Sequence, residues 1–353
     1  MAYLDIHLQD IYHNTKTIAD YCRKENVDVI GVTKGVCGLP GAARAMLAGG
    51  VVGLADSRLA NLVKLRKSGI GTKLMLLRSP IFGEMAEAVM VADLILCSDL
   101  TYLKALARSV GKQKTVGIIP VVEMGDRREG VMPDSLEALF CGIRSLPEVK
   151  VKGLAINMAC FAGVSPTSEH IIRLEEMLMN YFENNRSLVL SAGNSSCLQL
   201  IIQKKWPGLS IPAHLRFGES ILLGKDVLTN EPIAGTSQDA FRLFGEVIEM
   251  NYKPSLPTGT VLKNAFDDKL VFKDFGTHLR AIVALGRQDL GAGRLYPKHA
   301  GIEVLGMTSD HTVLAVDPAE ISVKPGDLLE FRLDYGGLLG VTTSPYVEKR
   351  ILG

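Results

Sequence analysis

Lys34 closes the apolar run Val29-Ile30-Gly31-Val32-Thr33 and is followed at once by Gly35 and a loop. A lysine at the end of a buried strand is costly to desolvate, so the position calls for a partner or a task. One task is covalent. An ammonium in a dry pocket loses part of its preference for charge, and the freed amine attacks an aldehyde to form an imine. The other reading is a lysine paired with a carboxylate, a use that ion-pair networks also make of such sites.

Two further groups have the residue types for holding an anion. Gly193-Asn194-Ser195-Ser196 and Gly218-Glu219-Ser220 each offer backbone N–H groups and a hydroxyl at the start of a helix, which together cradle a phosphate dianion. Other apolar runs also close on polar residues: Asp56-Ser57-Arg58, Arg78-Ser79, Glu123 to Arg128, Asn157 and Arg216. A lysine amine and a phosphate cradle bracket a small molecule that carries both an aldehyde and a phosphate, as pyridoxal phosphate does.

These residues need a frame that brings eight run-ends to one place. Short β-rich runs at Val27–Thr33, Val51–Ala55, Lys73–Leu77, Ala92–Cys97, Thr115–Glu123, Val151–Met158, Leu188–Ala192 and His214–Phe217 alternate with amphipathic stretches, the mark of parallel βα units. Eight such units, with no G-x-G-x-x-G after the first, favour an α/β fold of the closed (β/α)8 TIM-barrel type over an open doubly wound sheet. In a barrel the chemistry lies at the carboxyl ends of the strands, where the polar residues fall. A helix over Leu8 to Lys24 precedes the first strand, with Ile11, Thr15, Ile18 and Cys22 at spacings of three and four.

Residues 1–235 are therefore expected to form the barrel with its leading helix, and residues 236–353 a C-terminal all-β domain. Strands of the latter are expected at Phe241–Met250, Leu270–Phe275, Leu279–Leu285, Ile302–Gly306, Thr312–Val316 and Asp327–Leu333, the last fed by the turn Lys324-Pro325-Gly326-Asp327.

Composition narrows the partners. Lys and Arg total 39 against 38 Asp and Glu, with no basic stripe interleaved with aromatics, so nucleic acid has no electrostatic footprint. Six cysteines without a C-x-x-C pair read as reduced core thiols, and seven histidines without H-x-C or H-x-D spacing offer no metal site. The N-terminus turns polar before a signal-type apolar region forms, and no apolar run reaches ~18 residues, so a cytoplasmic protein without a membrane partner is expected.

Taken in order, Val32-Thr33-Lys34-Gly35-Val36-Cys37, Ala55-Asp56-Ser57-Arg58, Gly125-Asp126-Arg127-Arg128-Glu129-Gly130, Gly193-Asn194-Ser195-Ser196, Leu215-Arg216-Phe217-Gly218-Glu219-Ser220 and Ser309-Asp310-His311 resemble the alanine racemase superfamily over essentially the full length. The likeness is greatest to its ornithine racemase-like amino-acid racemases. What the resemblance implies is a racemase with pyridoxal 5′-phosphate on Lys34 and with Arg216 facing the pyridine nitrogen. It further implies Asn194, Ser195, Gly218, Glu219 and Tyr346 about the phosphate, Asn157 on the ring face and Arg128 at the ring hydroxyl.

The chain departs from alanine racemases in two places. Gly38 stands where they carry a tyrosine four residues after the lysine, and Gly286-Arg287-Gln288-Asp289 stands where they carry Gly-Tyr-x-Asp with the second catalytic base. Racemisation by two bases needs an acceptor on each face of Cα. His311, supported by Asp310, is nominated for the face opposite Lys34, because imidazole titrates near neutral pH. A structural hairpin histidine is the competing reading, and Cys37 is a weaker candidate for the base.

The resemblance implies a free amino acid as substrate, ornithine or lysine being favoured, with Glu219, Asp126, Asp289 and Asp310 as possible partners for a second ammonium. It also implies a head-to-tail homodimer. The competing functions are a lyase or decarboxylase on the same scaffold and a non-catalytic pyridoxal phosphate carrier. The 118-odd residues after the barrel argue against the carrier, which lacks a β domain.

Overall fold

The computed structural model describes residues 2–110, 115–182, 187–267 and 271–353. The chain divides into two compact units, one of Leu8–Gln238 and one of Met1–His7 with Asp239–Gly353. The expected division at residue 235 did not anticipate that the leading residues join the second unit.

The first unit alternates strands and helices. Its strands are β2 (Val27–Val32), β3 (Gly53–Asp56), β4 (Leu74–Leu76), β5 (Leu94–Leu96), β6 (Val116–Ile119), β7 (Val149–Val151), β8 (Gly153–Ala155), β9 (Val189–Asn194) and β10 (Ala213–Phe217). Its helices are α1 (Leu8–Arg23), α2 (Pro40–Ala48), α3 (Leu59–Lys67), α4 (Met85–Val91), α5 (Leu100–Val110), α6 (Leu136–Arg144), α7 (Ser168–Tyr181), α8 (Leu198–Ile202) and α9 (Glu219–Leu223). All the strands pair in parallel, in the order β7-β6-β5-β4-β3-β2-β10-β9-β8. The circle closes at Lys152, between β7 and β8: its N–H donates to Ile118 O at 2.8 Å on one side, and its carbonyl accepts from Val189 N at 3.0 Å on the other. β7 and β8 are thus one stave, and the barrel has eight. At its break Gly153 is required, since a Cβ there would lie 1.8 Å from Val189 O.

Ile30, Val32, Ala55, Met75, Leu96, Ile119, Val121 and Ala155 fill the interior. Branched and small side chains in layers suit a packed barrel. In α1 the residues Ile11, Thr15, Ile18 and Cys22 are buried at the expected spacing. Asn14, between them, donates to Ile221 O at 3.0 Å and Ser237 O at 2.8 Å and accepts from Ser237 N at 2.7 Å, tying the entry helix to the segment that leaves the last stave.

The second unit is antiparallel except where its ends meet. It contains β1 (Tyr3–His7), β11 (Phe241–Pro254), β12 (Thr277–Val283), β13 (Leu295–Pro297), β14 (Ile302–Met307), β15 (Thr312–Val316), β16 (Leu328–Leu333) and β17 (Glu348–Leu352), with helices α10 (Arg287–Leu290) and α11 (Tyr335–Thr343). The sheet runs β13-β16-β11-β12-β15-β14, with β1 beside β11 and β17 beside β1. β11 buries Phe241, Leu243 and Val247 from alternate positions, as a strand with one core face must.

One expected strand does not form: Leu270 lies outside the described residues, and 271–276 carries no strand. Both edges of β12, the strand that follows it, are taken by β11 and β15, so the segment cannot pair there as a hairpin. Instead Asp274 accepts from Ser255 Oγ at 3.0 Å and Gly276 N at 3.0 Å, closing the excursion as a loop. Among the described residues no helix is long and apolar enough to cross a membrane.

Candidate active site

Lys34 opens a single 3-10 turn, Lys34–Val36, at the carboxyl end of β2, and is half-buried. The turn is clamped from the next stave. The buried Asp56 carboxylate, at the end of β3, accepts from Thr33 Oγ1 at 2.7 Å, Arg58 N at 2.9 Å and Asn61 Nδ2 at 3.0 Å. Burial raises its pKa, and these donors, with the Lys34 charge, hold it back. The chain leaves the turn through Cys37 and Gly38, both left-handed. A Cβ on Gly38 would stand 2.8 Å from Asn61 Cβ, so the packing that braces Lys34 leaves no room for the tyrosine of alanine racemases.

The turns after β9 and β10 meet beside it. Ser195 Oγ accepts from Gly218 N at 3.4 Å, and a Cβ on Gly218 would touch Val32 Cβ at 3.1 Å, two residues before Lys34. Lys34, Ser195 and Gly218 therefore converge at one end of the barrel. Glu219 is the first residue of α9. Ser220 Oγ is buried and finds no hydrogen-bond partner among the described residues. Asn194 is spent locally: its amide donates to Asn157 Oδ1 at 3.0 Å and Met158 O at 2.8 Å, and its oxygen accepts from Ser196 N at 2.9 Å, capping the turn that carries Ser195. Asn157 Nδ2 is buried and has no hydrogen-bond partner among the described residues.

Arg216 points from β10 into the barrel and is 4 % exposed. Its guanidinium donates to Ser191 O at 2.9 Å and Ile156 O at 2.7 Å, and also to Ser191 Oγ. No carboxylate among the described residues pairs with it. Burial lowers its pKa to about 10, which leaves it charged at neutral pH. Arg128 lies in the loop after β6, exposed and paired with its neighbour Glu129.

Tyr346, Asp310 and His311 belong to the other unit. Tyr346 is 72 % exposed. Asp310 lies 3.3 Å from His311 Nδ1, and its carboxyl is held below the usual range first by the Ser309 hydroxyl. This corner packs against the stretch that replaces Gly-Tyr-x-Asp: Arg287 N donates to Thr308 O at 2.9 Å and Gln288 N to Ser309 O at 3.0 Å. The turn that carries His311 is thus tied to the Arg287-Gln288 backbone.

Two of the carboxylates considered for a substrate ammonium are already engaged. Asp126 accepts from the backbone N–H groups of Cys160, Phe161 and Ala162 at 3.0–3.1 Å. Asp289 accepts from Ser344 Oγ at 2.8 Å and Gly286 N at 3.2 Å. At the Lys34 end of the barrel a cavity of about 250 Å³ instead brings Ser79, Ser98, Asp99 and Glu129 together. Asp99, which follows the fourth stave, is not among the stave-end residues that the sequence singles out. His214 and Ser191 carry no such signal in the sequence, since each is a polar residue within a short strand.

A profile of the family described as "Alanine racemase, N-terminal domain" matches residues 6–221. The chain is 34 % identical to an ornithine racemase of Acetoanaerobium sticklandii, covering 99 % of both chains. It is 35 % identical to a lysine racemase of Thermotoga maritima, over 98 % of this chain and 96 % of that one. Among solved structures, alanine racemase from Corynebacterium glutamicum superposes with a TM-score of 0.74 at 16 % identity, with 99 % of each chain covered. D-threonine aldolase from Filomicrobium marinum gives 0.71 at 14 %, over 96 % of this chain and 88 % of that one, so the fold by itself does not choose between these chemistries.

Proposed function

This chain belongs to the alanine racemase family, and on that premise we propose that it interconverts the L and D forms of a basic amino acid, ornithine or lysine, with pyridoxal 5′-phosphate as cofactor. The observation that carries the reading is the convergence of the turn that bears Lys34 with the turns that bear Ser195 and Gly218 at one end of the barrel. The residues fit the cofactor on further counts. Arg216 is a buried cation with no carboxylate partner, and Asn157 Nδ2 and Ser220 Oγ are buried polar atoms with no protein partner among the described residues. A ligand with a ring nitrogen and phosphate oxygens satisfies such groups, whose isolation is otherwise costly.

Bound there, pyridoxal phosphate supplies an aldehyde for the lysine and an electron sink that acidifies the substrate's Cα hydrogen. Ser195 and the Gly218 and Glu219 backbone hold phosphate oxygens, and Tyr346 is assigned to the same group. Asn157 is assigned to the ring face and Arg128 to the ring hydroxyl. Arg216, charged at neutral pH, would face the ring nitrogen and deny it a proton, and so would keep the sink weak, which suits proton exchange at Cα. Lys34 Nζ removes or returns the Cα proton on one face. His311, with Asp310 beside its Nδ1, is assigned the opposite face.

We assign the protein to the cytoplasm and to a head-to-tail homodimer. Equilibrium sedimentation should give twice the chain mass, and an active monomer would remove the dimer. The central test is borohydride treatment with pyridoxal phosphate, followed by mass spectrometry and by a panel of L-amino acids assayed for the D form. Cofactor mass on Lys34 and turnover of ornithine or lysine are expected. Label elsewhere, or turnover of alanine alone, would overturn the reading.

A further inference from the structure

We propose that His214, acting through the Ser191 hydroxyl, is a positioning residue that fixes the Arg216 guanidinium for its ligand. The proposal rests on the reading that Arg216 faces the cofactor. His214 and Arg216 are two residues apart on β10, so both side chains leave the same face of the strand. Both are buried, at 5 % and 4 % exposure. His214 Nε2 lies 2.7 Å from Ser191 Oγ, the hydroxyl that also meets Arg216.

Proton accounting gives this chain of contacts a direction. A guanidinium has five N–H donors and no acceptor, so Ser191 Oγ must accept from Arg216. The single hydroxyl proton is then free to turn toward His214 Nε2, which must accept it and so must be unprotonated at that nitrogen. The imidazole is held neutral: burial first, and then the Arg216 charge, bring its pKa down to about 3. Donation therefore runs from Arg216 to Ser191 to His214.

The arrangement sets the guanidinium plane. Three of the five N–H groups go to Ser191 O, Ser191 Oγ and Ile156 O, which leaves two for a ligand. With an apolar side chain at 214 the Ser191 proton loses its acceptor. The hydroxyl then rotates in search of another, and its lone pair is no longer aimed at Arg216. Packing alone would not produce this dependence, because a leucine fills much of the same space.

The test compares wild type with His214→Leu, His214→Gln, Ser191→Ala and the Ser191→Ala/His214→Leu double variant. The readouts are the dissociation constant of pyridoxal phosphate from the apo chain and the pH profile of the bound cofactor's absorbance. Loss of one orienting hydrogen bond is worth about tenfold in affinity, so His214→Leu and Ser191→Ala should each weaken binding by about that factor and displace the pH profile. His214→Gln, whose Oε1 accepts the serine proton, should return both toward wild type. The double variant should be no weaker than Ser191→Ala, because the two residues act in series.

Wild-type affinity and profile in His214→Leu, a glutamine no better than leucine, or additive losses in the double variant would each overturn the relay while the cofactor reading stands. A wild-type chain that takes up no pyridoxal phosphate overturns both. Should His214→Leu fail to fold, Ser191→Ala against His214→Gln carries the same contrast.

Discussion

At neutral pH the His214 imidazole is uncharged inside the barrel, whereas in the unfolded chain it takes up a proton near pH 6.5. The folded value is about 3, so between these limits the unfolded chain binds the extra proton and stability rises with pH. The contribution is complete above pH 6.5 and is lost as the pH falls toward 3, a change on the order of 5 kcal/mol across the window. Urea unfolding at pH 7 and pH 4.5 should show a steep loss for wild type and a smaller one for His214→Gln, and equal losses would clear His214 of the effect. His311→Ala should stop L-to-D conversion while leaving cofactor absorbance unchanged, and retained turnover would return this corner to a structural role. Lys34 was legible in the sequence because a charge at the end of Val29–Thr33 contradicts its surroundings. Ser191 and His214 were not, because a serine or histidine within a short strand looks like the outward half of an ordinary alternation. Only the closed barrel turns both strands inward at those positions.

Between elements, the loops at the barrel mouth are fastened to one another rather than left free, and Asp126 is the fastening between the turns that follow β6 and β8. Its carboxylate collects three N–H groups from Cys160 to Ala162 and is 1 % exposed. In Asp126→Asn the side chain keeps one acceptor oxygen and gains an N–H₂ that faces other donors. Losing a charged hydrogen bond and stranding a backbone N–H costs roughly 2–3 kcal/mol. Hydrogen exchange at the Phe161 and Ala162 amides should therefore accelerate by about a hundredfold, and unchanged protection would show that the loop holds its own shape. The eight staves were legible because each is a β-rich run bounded by turn residues. Glu348–Leu352 was not, since EKRIL has no strand pattern of its own and is ordered by parallel pairing with Tyr3–His7, at the other end of the chain. Asp126 itself was visible as a polar residue after a strand, but its backbone partners lie more than thirty residues away and no local pattern predicts them.

For the molecule as a whole, the consequence of that pairing is that Tyr3–His7 is a working part of the C-terminal sheet. β1 lies between β11 and β17, and its Leu4 and Ile6 are 0 % and 1 % exposed. Burying two such side chains contributes roughly 3–6 kcal/mol. Their loss would also leave β17 without the neighbour that orders it. Each unit has its own core, so deletion of residues 2–7 should fall on the β unit and spare the barrel. One probe separates the two: the single tryptophan, Trp206, is buried in the barrel unit, so its emission reports that unit alone, whereas far-ultraviolet circular dichroism sees both. In the truncated chain the dichroism should gain an early thermal transition while the Trp206 transition keeps its wild-type midpoint. Coincident transitions, both shifted down by the same amount, would mean that the units unfold as one cooperative body and that the terminal strand stabilises the barrel as well.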